Sequence, residues 1–255
     1  MIFDADVHIS PRMETPFSFS SEKLIDTMDK SGVDKALVWL QPPLMVEISD
    51  SNEYVFEATK RYPDRIYGFG WANPRLGIEK SKDEIKRCID EFGFYGIKLN
   101  GAQNNFYIDD PVMSLPLIDE IAKAGKIVAF HVGADFFEQT HPFRVGKIAK
   151  MYPDLKIIMI HMGGAAIPDL SNAAIEITAE NPNITVIGSG VSPRPIFKAI
   201  KTLGAKRVCF GTDSPFQYMH VELAKYNALL SDESFTDEDK DDIMGGNIAR
   251  LLGVL

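Results

Sequence analysis

The sequence has few of the residues that stabilise secreted proteins or bind nucleic acids. Its 255 residues include only two cysteines, Cys88 and Cys209. Two cysteines cannot form a disulfide framework, so we expect a reducing, cytoplasmic environment. Acidic residues outnumber lysine and arginine by 36 to 27, which gives a net charge of −9. This balance argues against nucleic acid as a partner, because phosphate binding needs a basic surface.

Long apolar segments are absent as well. The chain contains no uncharged stretch of roughly 20 apolar residues, the length that spans a bilayer. It does not open with a basic segment followed by an apolar one, so we expect no secretory signal. Apolar residues make up 45% of the chain and charged residues 25%, as in an ordinary globular protein. We therefore expect a cytoplasmic protein without membrane association.

Eight short apolar runs recur along the chain at nearly constant spacing. One residue near the end of each run gives a series whose members lie 25 to 33 residues apart: His8, Leu40, Trp71, Lys98, His131, His161, Gly188 and Asp213. This spacing accommodates one strand, one helix and two loops, which is the repeat of a βα unit. Eight such units close a barrel of about 250 residues. The sequence thus predicts a single α/β domain over residues 1–255, a (β/α)8 TIM barrel.

Amphipathic segments fill the intervals between the runs. Their apolar spacing predicts seven helices between the strands and two extra C-terminal helices. The predicted ranges are 21–32, 50–64, 81–93, 110–125, 143–152, 169–181, 195–204, 220–230 and 237–252. A doubly wound open sheet is the main alternative. It is disfavoured because no glycine-rich phosphate-binding loop follows the first run.

Metal-ligand side chains fall at the ends of three of these runs. Asp6 and His8 lie two residues apart on the first strand, so both face the same side of it. Burying a carboxylate and an imidazole in the interior of the barrel costs free energy unless they are paired or bind a metal. His131 ends the fifth run and Asp213 the eighth, and strand ends of a barrel meet at its catalytic face. Two imidazoles and two carboxylates predict one divalent metal, zinc in the first place and manganese or iron as alternatives.

His161 ends the sixth run, where it could reach either the metal or a metal-bound water. A neutral imidazole beside such a water suits a general base. Asp213 is the second candidate for the proton acceptor. Asp4, in contrast, is expected to bond backbone at the start of the barrel. Each residue alone has an ordinary structural explanation, so the prediction depends on their falling at matching points of the repeat.

Further candidates for substrate binding lie in the loops at the same end of the predicted barrel. Arg12, His141 and Arg194 follow the first, fifth and seventh runs. Each could bind a substrate carboxylate, arginine as a bidentate fork. Each could equally be a solvated loop residue. Trp39 and Trp71 are expected to serve packing.

Together, these motifs resemble those of the amidohydrolase superfamily. The motifs are Asp6-x-His8, His131, His161-x-Gly-Gly, Gly211-Thr-Asp213-x-Pro215 and the closing Asn247-Ile-Ala-Arg-Leu-Leu-Gly. Within the superfamily they are similar to the amidohydrolase-related branch that contains aminocarboxymuconate-semialdehyde decarboxylase and γ-resorcylate decarboxylase. The resemblance implies one divalent metal held by Asp6, His8, His131 and Asp213, with His161 as an unliganded acid/base.

Members of this superfamily differ at the positions of Asp6 and Lys98. Most of the superfamily has a second histidine where this chain has Asp6, whereas some decarboxylases of the branch have a carboxylate. Asp6 therefore mildly favours the decarboxylase hypothesis. Some relatives also carry a carboxylated lysine that bridges two metals at the position of Lys98. For Lys98 we favour a substrate-binding or structural role beside a single metal.

Three functional hypotheses follow. The first is a metal-dependent hydrolase that acts on a small polar, carboxylated substrate through a metal-activated water. The second is a non-oxidative, metal-dependent decarboxylase, a lyase in which the acid/base pair protonates carbon. The third is a degenerate barrel without catalysis. The expected partner is a small-molecule substrate, with no nucleic acid or membrane, and the sequence leaves a homodimer open.

Overall fold

The computed structural model describes residues 1–12, 17–41, 48–166 and 169–255. Its strands follow one another around a closed parallel barrel. They are β1 Phe3–Ile9, β2 Lys35–Leu40, β3 Ile66–Gly68, β4 Gly70–Trp71, β5 Gly96–Leu99, β6 Ile127–His131, β7 Ile157–Ile160, β8 Ile184–Ile187 and β9 Val208–Cys209. Only Phe69 separates β3 from β4, so the two form one barrel strand and β9 is the eighth.

Strand pairing confirms the predicted barrel. The strands pair in parallel in the order β1-β2-β3 and β4-β5-β6-β7-β8-β9. A parallel bridge between Val7 and Ser214 joins the first strand to the segment after the last. The backbone N–H of Ala5 donates to Phe210 at 3.1 Å and that of Asp213 donates to Asp6 at 2.7 Å, which closes the ring. The open-sheet alternative is therefore excluded.

Helices lie between the strands, as the apolar spacing predicts. They are α1 Ser21–Ser31, α2 Ser49–Arg61, α3 Ile78–Lys86, α4 Gly101–Asn104, α5 Leu115–Lys123, α6 Pro142–Met151, α7 Ser171–Glu180, α8 Pro193–Leu203, α9 Met219–Leu230, α10 Asp237–Asp241 and α11 Asn247–Leu252. Five-residue π-turns, Arg87–Glu91 and Asp242–Gly246, extend α3 and α10. In the described parts of the chain, no helix has both the length and the apolar character that a transmembrane segment needs.

Two predicted helices differ from the structure for local reasons. The helix expected over 110–125 begins only at Leu115, because the Asp110 carboxylate accepts the N–H groups of Val112 and Met113 and forms a turn instead. The helix expected over 237–252 is broken at Gly245. A side chain there would lie 2.7 Å from the carbonyl oxygen of Met1, so the closing segment packs tightly beneath the barrel.

A β-bulge in β1 determines which of its side chains face the core and which face the site. Phe3 and Asp4 pair with residues 32 positions ahead, whereas Val7 to Ile9 pair with residues 31 positions ahead, so β1 holds one extra residue. Ala5 accordingly packs with the aromatic and aliphatic side chains of one core cluster, while His8, three residues on, reaches the cavity at the top. The bulge thus lets one short strand serve both the core and the site.

Candidate functional site

A cavity of about 670 Å³ opens at the carboxyl ends of the strands. Its wall contains most of the residues singled out from the sequence. These are His8, Arg12, Lys98, His131, His161 and Asp213. Asp6 lies directly beneath them and is fully buried. The barrel therefore brings the predicted site residues to one place, from β1, β5, β6, and the segments after β7 and β9.

Two of these residues have an unusual backbone conformation. His161 has a φ of 64° and Asp213 a φ of 59°, both in the left-handed region that residues other than glycine rarely adopt. His161 opens a short 3-10 turn, His161–Gly163, directly after β7. Asp213 is held by its N–H bond to Asp6 and accepts from the N–H of Phe216. Strained backbone of this kind clusters at functional sites, where the surrounding fold enforces it.

The acidic and imidazole groups come close enough to share one cation. Ligand atoms of Asp6, His161 and Asp213 lie within 4.8 Å of one another. His8 Nε2 lies 3.7 Å from Asp6 Oδ1 and 3.5 Å from Asp213 Oδ1. Asp6 Oδ1 is buried and has no hydrogen-bond partner within the described ranges. An unpaired buried carboxylate oxygen is costly, so this donor set fits a divalent cation.

Lys98 is the positive charge closest to Asp6. Its ammonium is buried, 3.8 Å from Asp6 Oδ1 and 3.3 Å from His8 Nε2. It lies 4.1 Å from the centre of the Trp39 ring and 5.2 Å from that of Trp71, within the range of cation–π attraction. The two tryptophans, expected to serve packing, therefore also stabilise the lysine charge. Burial lowers the pKa of Lys98 to about 8, against the opposing effect of Asp6.

The two carboxylates have opposite electrostatic environments. Burial acts to raise the pKa of Asp6, but the nearby Lys98 ammonium and the hydrogen bond from Ser189 oppose it, and the pKa lies below its usual value. Burial and the neighbouring charge of Asp6 raise the pKa of Asp213 to about 7. Asp6 is therefore ionised at neutral pH, whereas Asp213 is poised to gain or lose a proton there.

The imidazoles are held neutral. Burial, reinforced by Lys98, lowers the pKa of His8 to about 3. Burial also lowers the pKa of His131 and that of His161. His8 Nδ1 lies 2.6 Å from the carbonyl oxygen of Leu40, which fixes Nδ1 as the donor and leaves Nε2 as the acceptor. Nε2 of His8 accepts the indole N–H of Trp39 at 3.0 Å. A neutral imidazole is the form that binds metals or takes up protons.

His131 faces a carboxylate that the sequence reasoning missed. Its Nε2 lies 2.6 Å from Asp135 Oδ1, and Gln103 Nε2 donates to the other oxygen of Asp135 at 2.8 Å. The His131 ring packs edge-on against His161, with 4.8 Å between ring centres. Asp135 lies four residues beyond the end of β6, outside the strand-end positions that the repeat marks. No periodic signal could have found it.

The substrate-binding candidates divide between the cavity and the outside. Arg12 is exposed and lines the cavity. His141 instead caps α6, where Nδ1 accepts the N–H of Phe143, and Arg194 is exposed on the first turn of α8. Neither is among the described residues that line the cavity. Both lie at the start of a helix, outside the described lining of the cavity, and substrate binding by Arg12, His141 or Arg194 stays a prediction.

Two small polar residues complete the surroundings of Asp6. Asp4 Oδ1 accepts the N–H groups of Asp6 and Thr212, which confirms that it bonds backbone at the start of the barrel. Ser189, which follows β8, donates from Oγ to Asp6 Oδ2. Sequence reasoning missed Ser189 although it is adjacent to Gly188, a marked strand-end position. Serine carries no metal-ligand signature that would have distinguished it.

Comparisons with known proteins identify relatives of this chain. The amidohydrolase family model matches residues 4–254. The chain is 26% identical over 253 residues to 2-amino-3-carboxymuconate-6-semialdehyde decarboxylase of Dictyostelium discoideum, covering 85% of this chain and 69% of that protein. It is 24% identical over 299 residues to γ-resorcylate decarboxylase of a Polaromonas species, covering 95% and 90%.

A solved structure shares the fold. It is 5-carboxyvanillate decarboxylase from Novosphingobium aromaticivorans, complexed with manganese and 4-hydroxy-3-methoxy-5-nitrobenzoic acid. The TM-score is 0.78 at 18% identity, over 99% of this chain and 96% of that chain. At this identity the likeness concerns the fold, and it agrees with the strand pairing described above.

The pairing of His131 with Asp135 generates a prediction for the protein without added metal. Asp135 acts to raise the pKa of His131 against the effect of burial. In Asp135→Asn the carboxylate charge is removed, so the pKa of His131 should fall further, because the imidazolium loses its charged acceptor. An NMR titration of the histidine ring resonances measures this, with His141 outside the cavity as internal control. A rise, or no change, would show that His131 does not face Asp135 in solution.

Proposed function

The chain belongs to the amidohydrolase family, and from this premise we propose that it is a divalent-metal-dependent decarboxylase of a small carboxylated molecule. The observation that carries the metal assignment is the buried Asp6 Oδ1, without a partner in the described parts and faced by His8 Nε2. Decarboxylation is supported by the two curated relatives named above, both of which are decarboxylases. The hydrolase hypothesis, placed first from the sequence, receives no such support.

Asp6, His8 and Asp213 would hold the metal, with His131 as the fourth ligand. The His131 nitrogen that contacts Asp135 is Nε2, so Asp135 and a metal compete for it. When bound, the divalent metal polarises substrate oxygens next to the carboxylate that is lost. Manganese is the metal we propose first. The expectation of zinc is not supported, since the similar solved structure named above contains manganese, and carboxylate-rich sites suit that ion.

His161 would move the proton. Decarboxylation breaks the bond between carbon and carboxylate, releases CO2 and forms a C–H bond with one proton. His161 Nδ1 lies 3.0 Å from the carbonyl oxygen of Ser189, which leaves Nε2 for proton exchange. Lys98 and Arg12 supply positive charge at the cavity, which suits a carboxylated substrate. Water is not consumed in this reaction, which separates it from hydrolysis.

The proposal predicts CO2 release from simple aromatic acids. Purified protein loaded with Mn2+ should release CO2 from at least one member of a panel of hydroxybenzoic acids that includes 2,6-dihydroxybenzoate and 5-carboxyvanillate. In D2O the product should gain one deuterium at the carbon that carried the carboxylate. Chelated protein, which loses the metal, is the control. Cleavage of esters, amides or lactones with uptake of 18O from labelled water, and no CO2 release, would instead establish the hydrolase.

A second prediction separates the proton carrier from the ligands. His161→Asn should retain the metal while the rate of CO2 release falls by about 10² or more, as for loss of a general acid/base. Elemental analysis and the CO2 assay measure the two effects. His220→Asn is the matched control, since His220 lies on the first turn of α9 outside the cavity and should retain both properties. Loss of metal in His161→Asn would make His161 a ligand, as its proximity to Asp6 and Asp213 permits.

A further inference from the structure

Ser189 connects two groups to which the proposed function assigns different roles. Its side chain is fully buried, its Oγ lies 2.5 Å from Asp6 Oδ2, and its carbonyl oxygen lies 3.0 Å from His161 Nδ1. We propose that Ser189 is a positioning residue that commits Asp6 to metal binding through Oδ1 alone and keeps His161 Nδ1 away from the metal. This inference rests on the proposed function, because it assumes that Asp6 binds a divalent cation.

The first step concerns the single proton of the Ser189 hydroxyl. Two acceptors lie near Oγ, Asp6 Oδ2 at 2.5 Å and His161 Nδ1 at 3.1 Å. An ionised carboxylate is the stronger acceptor, and the Lys98 ammonium lies 3.8 Å from Asp6 Oδ1 as its counter-charge. The proton therefore points to Asp6. Oδ2 is then engaged, and Oδ1, without a partner in the described segments, is the oxygen left for a cation.

The direction of the hydroxyl proton also determines which ring nitrogen of His161 carries a hydrogen. Because the hydroxyl proton points to Asp6, Ser189 Oγ can only accept a hydrogen bond from His161. The Ser189 carbonyl oxygen can also only accept. His161 Nδ1 must therefore carry a hydrogen and donate it to Ser189. A protonated nitrogen cannot bind a metal, although Nδ1 lies only 4.0 Å from Asp6 Oδ2. One residue thus assigns Asp6 to the metal and leaves His161 Nε2 for proton transfer.

The backbone around Ser189 is fixed from behind by α9. The N–H of Gly190 donates to Glu222 Oε2 at 3.1 Å, and Lys225 Nζ donates to the carbonyl oxygen of Val191 at 2.8 Å. Glu222 and Lys225 pair with each other at 2.5 Å. Gly190 adopts a φ of 69°, a conformation that glycine reaches without strain. These bonds hold Ser189 in place, so its contacts with Asp6 and His161 are preorganised.

The test compares Mn2+ affinity in the metal-stripped parent and in Ser189→Ala. Residues that orient metal ligands from outside typically contribute about 10- to 100-fold to affinity, so Ser189→Ala should bind Mn2+ at least about tenfold more weakly by calorimetry or by the EPR signal of free Mn2+. The matched control is Ser114→Ala. Ser114 is equally buried and donates to the carbonyl oxygen of Tyr107 outside the cavity, so its removal should leave Mn2+ affinity unchanged.

A purely structural serine would behave differently. Thermal unfolding of both variants without added metal measures the loss of a buried hydrogen bond alone, which the two share. If Ser189 acts through Asp6, then adding Ser189→Ala to Asp6→Ala should weaken Mn2+ binding no further. Ser189→Cys, whose thiol is a weaker donor, should fall between the parent and Ser189→Ala, and it takes over the test if Ser189→Ala does not fold.

Two results would overturn the inference while the proposed function stands. One is Mn2+ binding by Ser189→Ala, or by Ser189→Cys in its place, within twofold of a parent that binds the ion. The other is an undiminished effect of Ser189→Ala in the Asp6→Ala background. A parent chain that takes up no Mn2+ would instead overturn the proposed metal site, and this inference with it.

Discussion

Burial of the Asp6 carboxylate is the constraint on which the rest of the site depends. A buried negative charge is tolerated only where neighbouring groups compensate it. Lys98 supplies an opposite charge at 3.8 Å, and Ser189 engages one oxygen. The other oxygen has no partner in the described part of the chain. Oδ1 is therefore the oxygen at which we propose that a cation binds, and Nε2 of the neutral His8 lies 3.7 Å from it.

The barrel converts this local requirement into a reaction site. Parallel strands place their carboxyl ends on one face, so groups from strands far apart in sequence meet there. The shift in the pairing of β1 lets the same strand pack into the core at Ala5 and reach the cavity at His8. The pKa of Asp6 is lowered and that of Asp213 is raised to about 7, so the two carboxylates differ in how readily they take up a proton near neutral pH. Such divergence between neighbouring carboxylates is typical of sites that bind a metal and move protons.

Sequence reasoning reached the barrel and the strand-end residues because both follow the repeat. His8, His161 and Asp213 lie at or just after strand ends, and Asp6 lies two residues before His8. Ligand atoms of Asp6, His161 and Asp213 lie within 4.8 Å of one another, and His8 Nε2 lies 3.7 Å from Asp6 and 3.5 Å from Asp213. Contacts that the repeat does not mark were missed. The partner of His131 comes from a loop, and the contacts of Ser189 depend on how the segment after β8 packs against α9. Loop position alone suggested substrate binding for residues that cap or begin helices. The metal was not fixed either: zinc was placed first, but a set of two imidazoles and two carboxylates does not by itself distinguish zinc from manganese.

The central claim is that Asp6 Oδ1 is a metal-binding oxygen. Crystals of the protein grown with Mn2+ and measured above and below the manganese absorption edge test this most directly. We predict one strong anomalous peak at the cavity floor, roughly 2.0–2.3 Å from Asp6 Oδ1, as metal–oxygen bonds require, with Ser189 Oγ still bonded to Oδ2. An anomalous map without a peak at this position, or with a peak that contacts neither Asp6 oxygen, would contradict the account.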